Sequence, residues 1–361
     1  MPAPRAQRLM QTVLFGAGLL CSGMFGAPAF AQAQRPSVDS HGNVSVPAFV
    51  VPYSAYASPE AQQQFQRMLE QSRHAPGIGS IAASRAYYDG INTDRADRMQ
   101  KLYPVKIHTE TIGGVPTDVV LPAQGIAAGQ RHRVLINLHG GAFLWGAHSG
   151  GLVEAIPLAS LGRIKVVSVD YRQGPEHVFP AASEDVEAVY RALLKQYPAR
   201  NIGIYGCSAG GSLSGQVAAW LPAHGLPQAG AIGIFGAGAS RAPGDSSYLA
   251  AFVDGSYDPP PGRKRPYREY FDGANLDDPM ISPAQYPDVL KKFPPTLLIT
   301  GTRAPDLSAA VYAHSQLIKA GVPGDLIVGE GMAHCYILMS SLPESQDAYQ
   351  AIVKFFRDHL G

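Results

Sequence analysis

The sequence predicts an α/β fold: a mostly parallel sheet of eight strands with helices on both faces. Three observations predict it. From about residue 134 onward, short runs rich in Val, Ile and Leu alternate with longer stretches of helical periodicity. Those strand runs are almost continuously apolar, the pattern of strands covered on both faces. Ahead of them, two strand signals flank Gly113 and Gly114 as a hairpin, which makes the sheet mixed.

Taken in order, residues 1–31 read as a secretory signal peptide. Arg5 and Arg8 precede an apolar run over residues 13–25, and Ala29-Phe30-Ala31 places small residues where a signal peptidase cuts. The run is too short and too glycine-rich to span a membrane as a helix. Leu20 before Cys21 is larger than a lipoprotein cleavage site accepts. Residues 32–104 form a lead-in and a helical region. Residues 32–53 show no sustained periodicity. Ser58-Pro59-Glu60 marks a helix start, with a capping serine and a first-turn proline. Phe65, Met68 and Leu69 then recur at helical spacing, and further helical stretches are expected over residues 81–91 and 94–102. Gly77-Ile78-Gly79 begins like a dinucleotide fingerprint, but no strand precedes it, so it reads as a loop.

The main domain is expected over residues 105–361. Strands at 105–111 and 117–121 pair as the hairpin. The strand at 134–138 leads to a helix at 150–161, that at 165–169 to a helix at 181–196, and that at 202–205 to a helix at 208–220. Strands at 231–235, 296–300 and 325–328 follow, with helices at 308–320 and 344–359. Residues 236–283 interrupt this alternation. They hold Pro259-Pro260-Pro261, a basic run from Arg263 to Arg268, and Tyr248, Tyr257, Tyr267 and Tyr270. An insertion this long serves a pocket or carries helices of its own. The basic run reads as a solvated face.

Composition limits the function classes. The chain has 361 residues, 16% of them charged, and a formal charge of +1. Loss of residues 1–31 removes two arginines and no acid, which leaves 330 residues at a charge of −1. Phosphate binding needs a basic surplus, so nucleic acid is not an expected partner. Three cysteines exclude a disulfide-built scaffold. No H-E-x-x-H or C-x-x-C is present, and glycines at 329 and 331 argue against a helix that would pair Glu330 with His334 on a metal. No metal and no cofactor are expected.

Gly206-Cys207-Ser208-Ala209-Gly210 is a G-x-S-x-G pentapeptide between a strand and a helix. There the serine sits on a sharp turn above the strand ends, and the flanking glycines relieve clashes. His139-Gly140-Gly141-Ala142-Phe143 follows the strand at 134–138. Its glycine backbone can turn N–H groups toward an oxyanion, so Gly140, Gly141 and Ala209 are the expected donors. Residues 171–182, from Tyr171-Arg172 through Glu176-His177 to Pro180-Ala181-Ala182, leave a strand and enter a helix containing Asp185. Bracing the loops around Ser208 is their expected work.

These motifs, with Gly331-Met332-Ala333-His334, stand in the order found in one family, and the chain resembles the hormone-sensitive-lipase-like branch of the α/β-hydrolases, also called bacterial esterase family IV. The resemblance runs from about residue 105 to the C-terminus. It implies an α/β-hydrolase fold with an N-terminal helical cap and a serine esterase that needs no cofactor. Ser208 is then the nucleophile and His334 the base, in the family's chain order of serine, acid, histidine. The acid departs from the family pattern. The position directly after Thr300-Gly301-Thr302-Arg303 holds Ala304, and the next carboxylate is Asp306. Asp306 is the expected acid, with Glu330 as its rival and a site lacking an acid as the other alternative.

Cys207 and Cys335 each adjoin one of these residues. Two free buried thiols are expected, since free cysteine packs as a small hydrophobe, with a disulfide as the alternative. Phe143 and Trp145 are expected to line the substrate pocket. The resemblance implies a carboxylic ester hydrolase, and the signal-peptide layout of residues 1–31 implies that it is exported, periplasmic or secreted. Its substrate would be a short or medium acyl ester or a small lactone. It would have no stable membrane insertion, and a homodimer is compatible. The alternatives are amide or lactone cleavage by the same residues and a non-catalytic binding protein, which Ala304 would allow.

Overall fold

The structure is a computed structural model that describes residues 36–47, 49–73, 80–242, 244–254 and 269–361. The expected signal peptide, Gly77-Ile78-Gly79 and the basic run lie outside the described residues. The described residues divide into a small unit that ends at Val51 and a large one that begins at Pro52.

In the small unit, β1 (Ser37–Val38) and β2 (Val44–Ser45) pair antiparallel. Asp39 closes the turn by accepting the backbone N–H groups of His41 and Asn43.

The large unit opens with α1 (Pro59–Arg73) and α2 (Ile81–Leu102). The Ser58 hydroxyl caps α1 by accepting the Ala61 N–H. Ser58 in turn donates from its backbone and its hydroxyl to Glu344 near the C-terminus. One helix replaces the two expected between residues 81 and 102. No proline interrupts this stretch, and packing against the next helix overrides the weak helix propensity of Asn92-Thr93.

An eight-stranded sheet follows, in the order β10-β9-β8-β7-β5-β6-β4-β3. Its members are β3 (Val105–Ile112), β4 (Val115–Pro122), β5 (Val134–Leu138), β6 (Lys165–Val169), β7 (Ile202–Cys207), β8 (Ala231–Phe235), β9 (Thr296–Gly301) and β10 (Gly324–Gly329). β3 pairs antiparallel with β4, and β4 with β6; every other pair is parallel. The helices are α3 (Ser149–Gly162), α4 (Ala181–Leu193), α5 (Ala209–Ala223), α6 (Asp245–Asp254), α7 (Pro287–Leu290), α8 (Leu307–Lys319) and α9 (Pro343–His359). β5, β7, β8 and β9 are buried along their whole length. Two apolar clusters, one centred on Ile136, Val217 and Leu298 and one on Leu135, Phe235 and Phe356, contain side chains that alternate along the same strands. The core therefore lies on both faces of the sheet, as continuous apolar strands require.

Candidate active site

The loops that follow β5, β7, β9 and β10 all leave the C-terminal edge of the parallel sheet, where open α/β sheets gather their ligand-binding residues. β7 delivers Ser208. Its backbone has φ 59° and ψ −119°, a conformation costly for a residue with a Cβ. The turn closes because Gly206 and Gly210 lack side chains: a Cβ on either would fall within about 2 Å of the Leu138 carbonyl oxygen. The Ser208 N–H donates to Phe235 at 2.9 Å, which docks the turn on β8.

His334 follows β10 and Asp306 follows β9. Ser208 Oγ lies 2.9 Å from His334 Nε2, and His334 Nδ1 lies 2.6 Å from Asp306 Oδ1. A carboxylate only accepts, so Nδ1 carries the proton and Nε2 is left to accept the serine hydroxyl. Thr300 donates its hydroxyl to the other Asp306 oxygen at 2.6 Å. Burial would raise the Asp306 pKa, but the charge and hydrogen bond of His334 and the Thr300 hydroxyl together hold it below its ordinary value. Asp306 is thus an anion at neutral pH. Ala304 fills a fully buried place and Pro305 carries the chain on, so Asp306 reaches the imidazole from two residues further along. Glu330, the rival carboxylate, is exposed.

The expected oxyanion donors need one correction. The Gly140 N–H donates to Glu154 Oε1 at 2.9 Å and is not free for a substrate. Among the described residues, the N–H groups of Gly141, Ala142 and Ala209 meet no protein acceptor. His139 sets this loop. Its Nδ1–H donates to the Gly140 carbonyl at 2.7 Å and its ring stacks on Tyr171 with centroids 4.2 Å apart. A trans peptide directs its N–H opposite its carbonyl, so this bond turns the Gly141 N–H away from His139. The Gln173 amide faces His139 Nε2, and burial holds the His139 pKa down at about 4, so the ring is neutral.

Sequence reasoning missed Glu154. It sits on α3, buried, and accepts N–H groups from Gly140, Cys207 and the Asn137 amide. It clamps together the backbone one residue before Gly141 and one residue before Ser208. Burial raises its pKa to about 8 against those three hydrogen bonds. A glutamate amid apolar helix residues was the available signal.

Ser208, His334 and Asp306 open into a cavity of about 620 Å³ whose walls include Phe143, Leu144, Ala237 and Phe271. Phe143 is there as expected, stacked on Tyr270 with centroids 4.7 Å apart. Trp145 is not: it stacks on Tyr88 of α2 at 4.6 Å, because Gly141 and its neighbours turn the chain toward that helix. Of the insertion's tyrosines, Tyr270 lines the cavity and Tyr248 is exposed, while Tyr257 and Tyr267 lie outside the described residues. Residues 171–182 brace the loops as expected. Arg172 pairs with Asp185 at 2.8 Å, and Arg85 of α2 joins Glu176 and the carbonyls of Leu144 and Gly174.

The two cysteines beside Ser208 and His334 are bonded to each other, with Cα atoms 6.2 Å apart, which corrects the expectation of free thiols. Gly236 leaves room for it: a Cβ there would lie 2.5 Å from Cys335 Sγ and 3.0 Å from Cys207 Sγ, so the sulfurs meet over a glycine. Elsewhere, Asp118, His148 and Asp170 bring one potential metal-ligating atom each within 4.8 Å of one another. His148 bonds both aspartates, so the cluster is satisfied internally.

A family model described as the alpha/beta hydrolase fold matches residues 135–338. The chain belongs to that family. Its relatives narrow the branch. An acetyl-hydrolase of Streptomyces hygroscopicus is 28% identical over 70% of this chain and 82% of its own length. The esterase LipU of Mycobacterium tuberculosis is 30% identical over 67% of this chain and 82% of its own. Esterase E25 superposes with a TM-score of 0.75 at 30% identity, covering 88% of this chain and 99% of its own. An esterase of the bacterial hormone-sensitive lipase family gives 0.70 at 26%, covering 84% and 99%. The chain thus groups with hormone-sensitive-lipase-like members of the α/β-hydrolases.

Proposed function

We propose that this serine hydrolase is an exported carboxylic ester hydrolase that acts on short or medium acyl esters or small lactones through an acyl-enzyme. One observation carries the reading: an unbroken hydrogen-bonded line from Ser208 through His334 to Asp306, opening on the cavity. Ser208 Oγ attacks the ester carbonyl as its proton passes to His334 Nε2. Asp306 stabilises the resulting imidazolium and keeps the ring oriented. The N–H groups of Gly141, Ala142 and Ala209 hold the tetrahedral oxyanion, and Ala209 contributes from the N-terminus of α5. His334 returns the proton to the leaving alcohol, and water releases the acid by the same route reversed.

Export rests on the layout of residues 1–31. The disulfide supports it, since such bonds persist in oxidising compartments. No described helix is long and apolar enough to cross a membrane. The binding-protein alternative rested on Ala304, and the hydrogen bond between Asp306 and His334 supports the catalytic reading instead. Esters, lactones and amides of matched acyl groups, assayed side by side, test the bond class. Faster amide than ester turnover would overturn the reading.

A further inference from the structure

Ser208 follows β7 and His334 follows β10, and β8 and β9 lie between those strands. No sheet ladder therefore sets the spacing between nucleophile and base. The His334 segment is well fastened on its other side. The Gly331 N–H donates to the Thr302 hydroxyl, the Arg303 N–H to the Met332 carbonyl, and the Tyr53 hydroxyl to the Gly331 carbonyl. All of these tie it to the β9 loop or the N-terminal region, and none ties it to β7.

The covalent tie to β7 is the Cys207–Cys335 bond, which joins the residue just before Ser208 to the residue just after His334 across 128 positions of chain. Cys335 Sγ also lies 3.7 Å from His334 Nε2, so the sulfur packs against the imidazole nitrogen that faces Ser208. Both cysteines are buried, Cys207 entirely. Gly236 completes the nest, since a Cβ there would stand 3.3 Å from His334 Cε1 as well as against both sulfurs. Cys335 itself holds a left-handed φ of 52°, a conformation that must be enforced by its surroundings.

We propose that the Cys207–Cys335 disulfide is a positioning element of the reaction, fixing the register of His334 Nε2 on Ser208 Oγ, so that the oxidised chain is the fully active one. This rests on the serine-hydrolase reading above. When the bond forms, the two thiols give up two protons and two electrons to a disulfide-bearing acceptor. A dithiol reductant returns them.

The test compares the unchanged protein with Cys207→Ala, Cys335→Ala and the double variant on p-nitrophenyl acetate, at a temperature where circular dichroism shows each folded. Displacement of the base by a fraction of an ångström to 1 Å lowers kcat by about 10-fold to 100-fold, with KM changed by no more than about twofold. Both single losses equal the double loss, because each removes the same bond. A purely stabilising bond would lower the melting temperature and leave kcat intact, and that result would overturn the proposal.

Should a variant not fold, the unchanged protein is titrated with dithiothreitol while free thiols are counted by alkylation and mass spectrometry. kcat is expected to fall in step with the reduced fraction and to recover on reoxidation. Full activity at complete reduction, or free thiols in the protein as purified, would overturn the proposal. An oxidised protein that turns over no ester and takes up no fluorophosphonate on Ser208 would instead remove the esterase reading, and this inference with it.

Discussion

Asp306 shows how a side chain two positions from its expected place can still complete a line of hydrogen bonds. The family's acid position holds Ala304, yet Asp306 reaches His334 at 2.6 Å and takes a second hydrogen bond from Thr300. Asp306→Asn keeps the shape but removes the charge and favours the wrong imidazole tautomer. A fall in kcat of about 10⁴ is expected, and Michaelis kinetics on a p-nitrophenyl ester would measure it. Glu154 leads to a pH experiment. Its folded pKa of about 8 lies above its ordinary 4.5, so its contribution to stability is complete below 4.5 and is lost as pH rises through 8. Glu154→Gln does not titrate. The stability advantage of the unchanged protein over this variant, from urea unfolding, should shrink between pH 5 and 8 or so. An advantage that grows across that interval would contradict the assignment. Ser208 was legible because the glycines around it are dictated by the geometry of its turn, and His334 because the resemblance places the base after the last strand. Which N–H groups remain free was not legible, because Glu154, a helix residue, decides it by occupying Gly140.

Among the elements, strands were read closely and helices less so. β6 and β8 match the sequence-based limits, since buried strands show as largely apolar runs. α2 was split because Asn92 and Thr93 are weak helix formers, and only packing against α3 carries the helix through them. α2 matters to the site through Arg85, whose guanidinium holds the carbonyls of Leu144 and Gly174 at 2.7 Å each. That fixes the loop bearing Gly141 and Ala142 against the segment that follows β6. Arg85→Met leaves both carbonyls without that donor and is expected to cost about 1–3 kcal/mol in urea unfolding. An unchanged unfolding midpoint would show that α2 is held otherwise. α1 is tied from the opposite side, with the Arg303 guanidinium 4.4 Å above the Tyr53 ring and 4.9 Å above the Phe65 ring.

For the whole molecule, the fold class was legible because strand and helix periods alternate over more than half of the chain. The cysteine pairing was not. It depends on where β7 and the loop after β10 meet in space and on the gap left by Gly236, neither of which sequence neighbours reveal. The proposed export and the disulfide belong together at this scale. Mass spectrometry of the protein recovered from a bacterial periplasm or medium should find Gln32 as its first residue. Recovery of chains that begin at Met1 would contradict export. The central claim concerns the serine. A fluorophosphonate probe, with the labelled peptide sequenced, tests it most directly, because only a serine activated by its base reacts. Labelling is expected at Ser208, to be lost in Ser208→Ala along with p-nitrophenyl ester turnover. An oxidised, folded protein that takes up no probe, or a Ser208→Ala variant that still hydrolyses the ester at the unchanged rate, would contradict it.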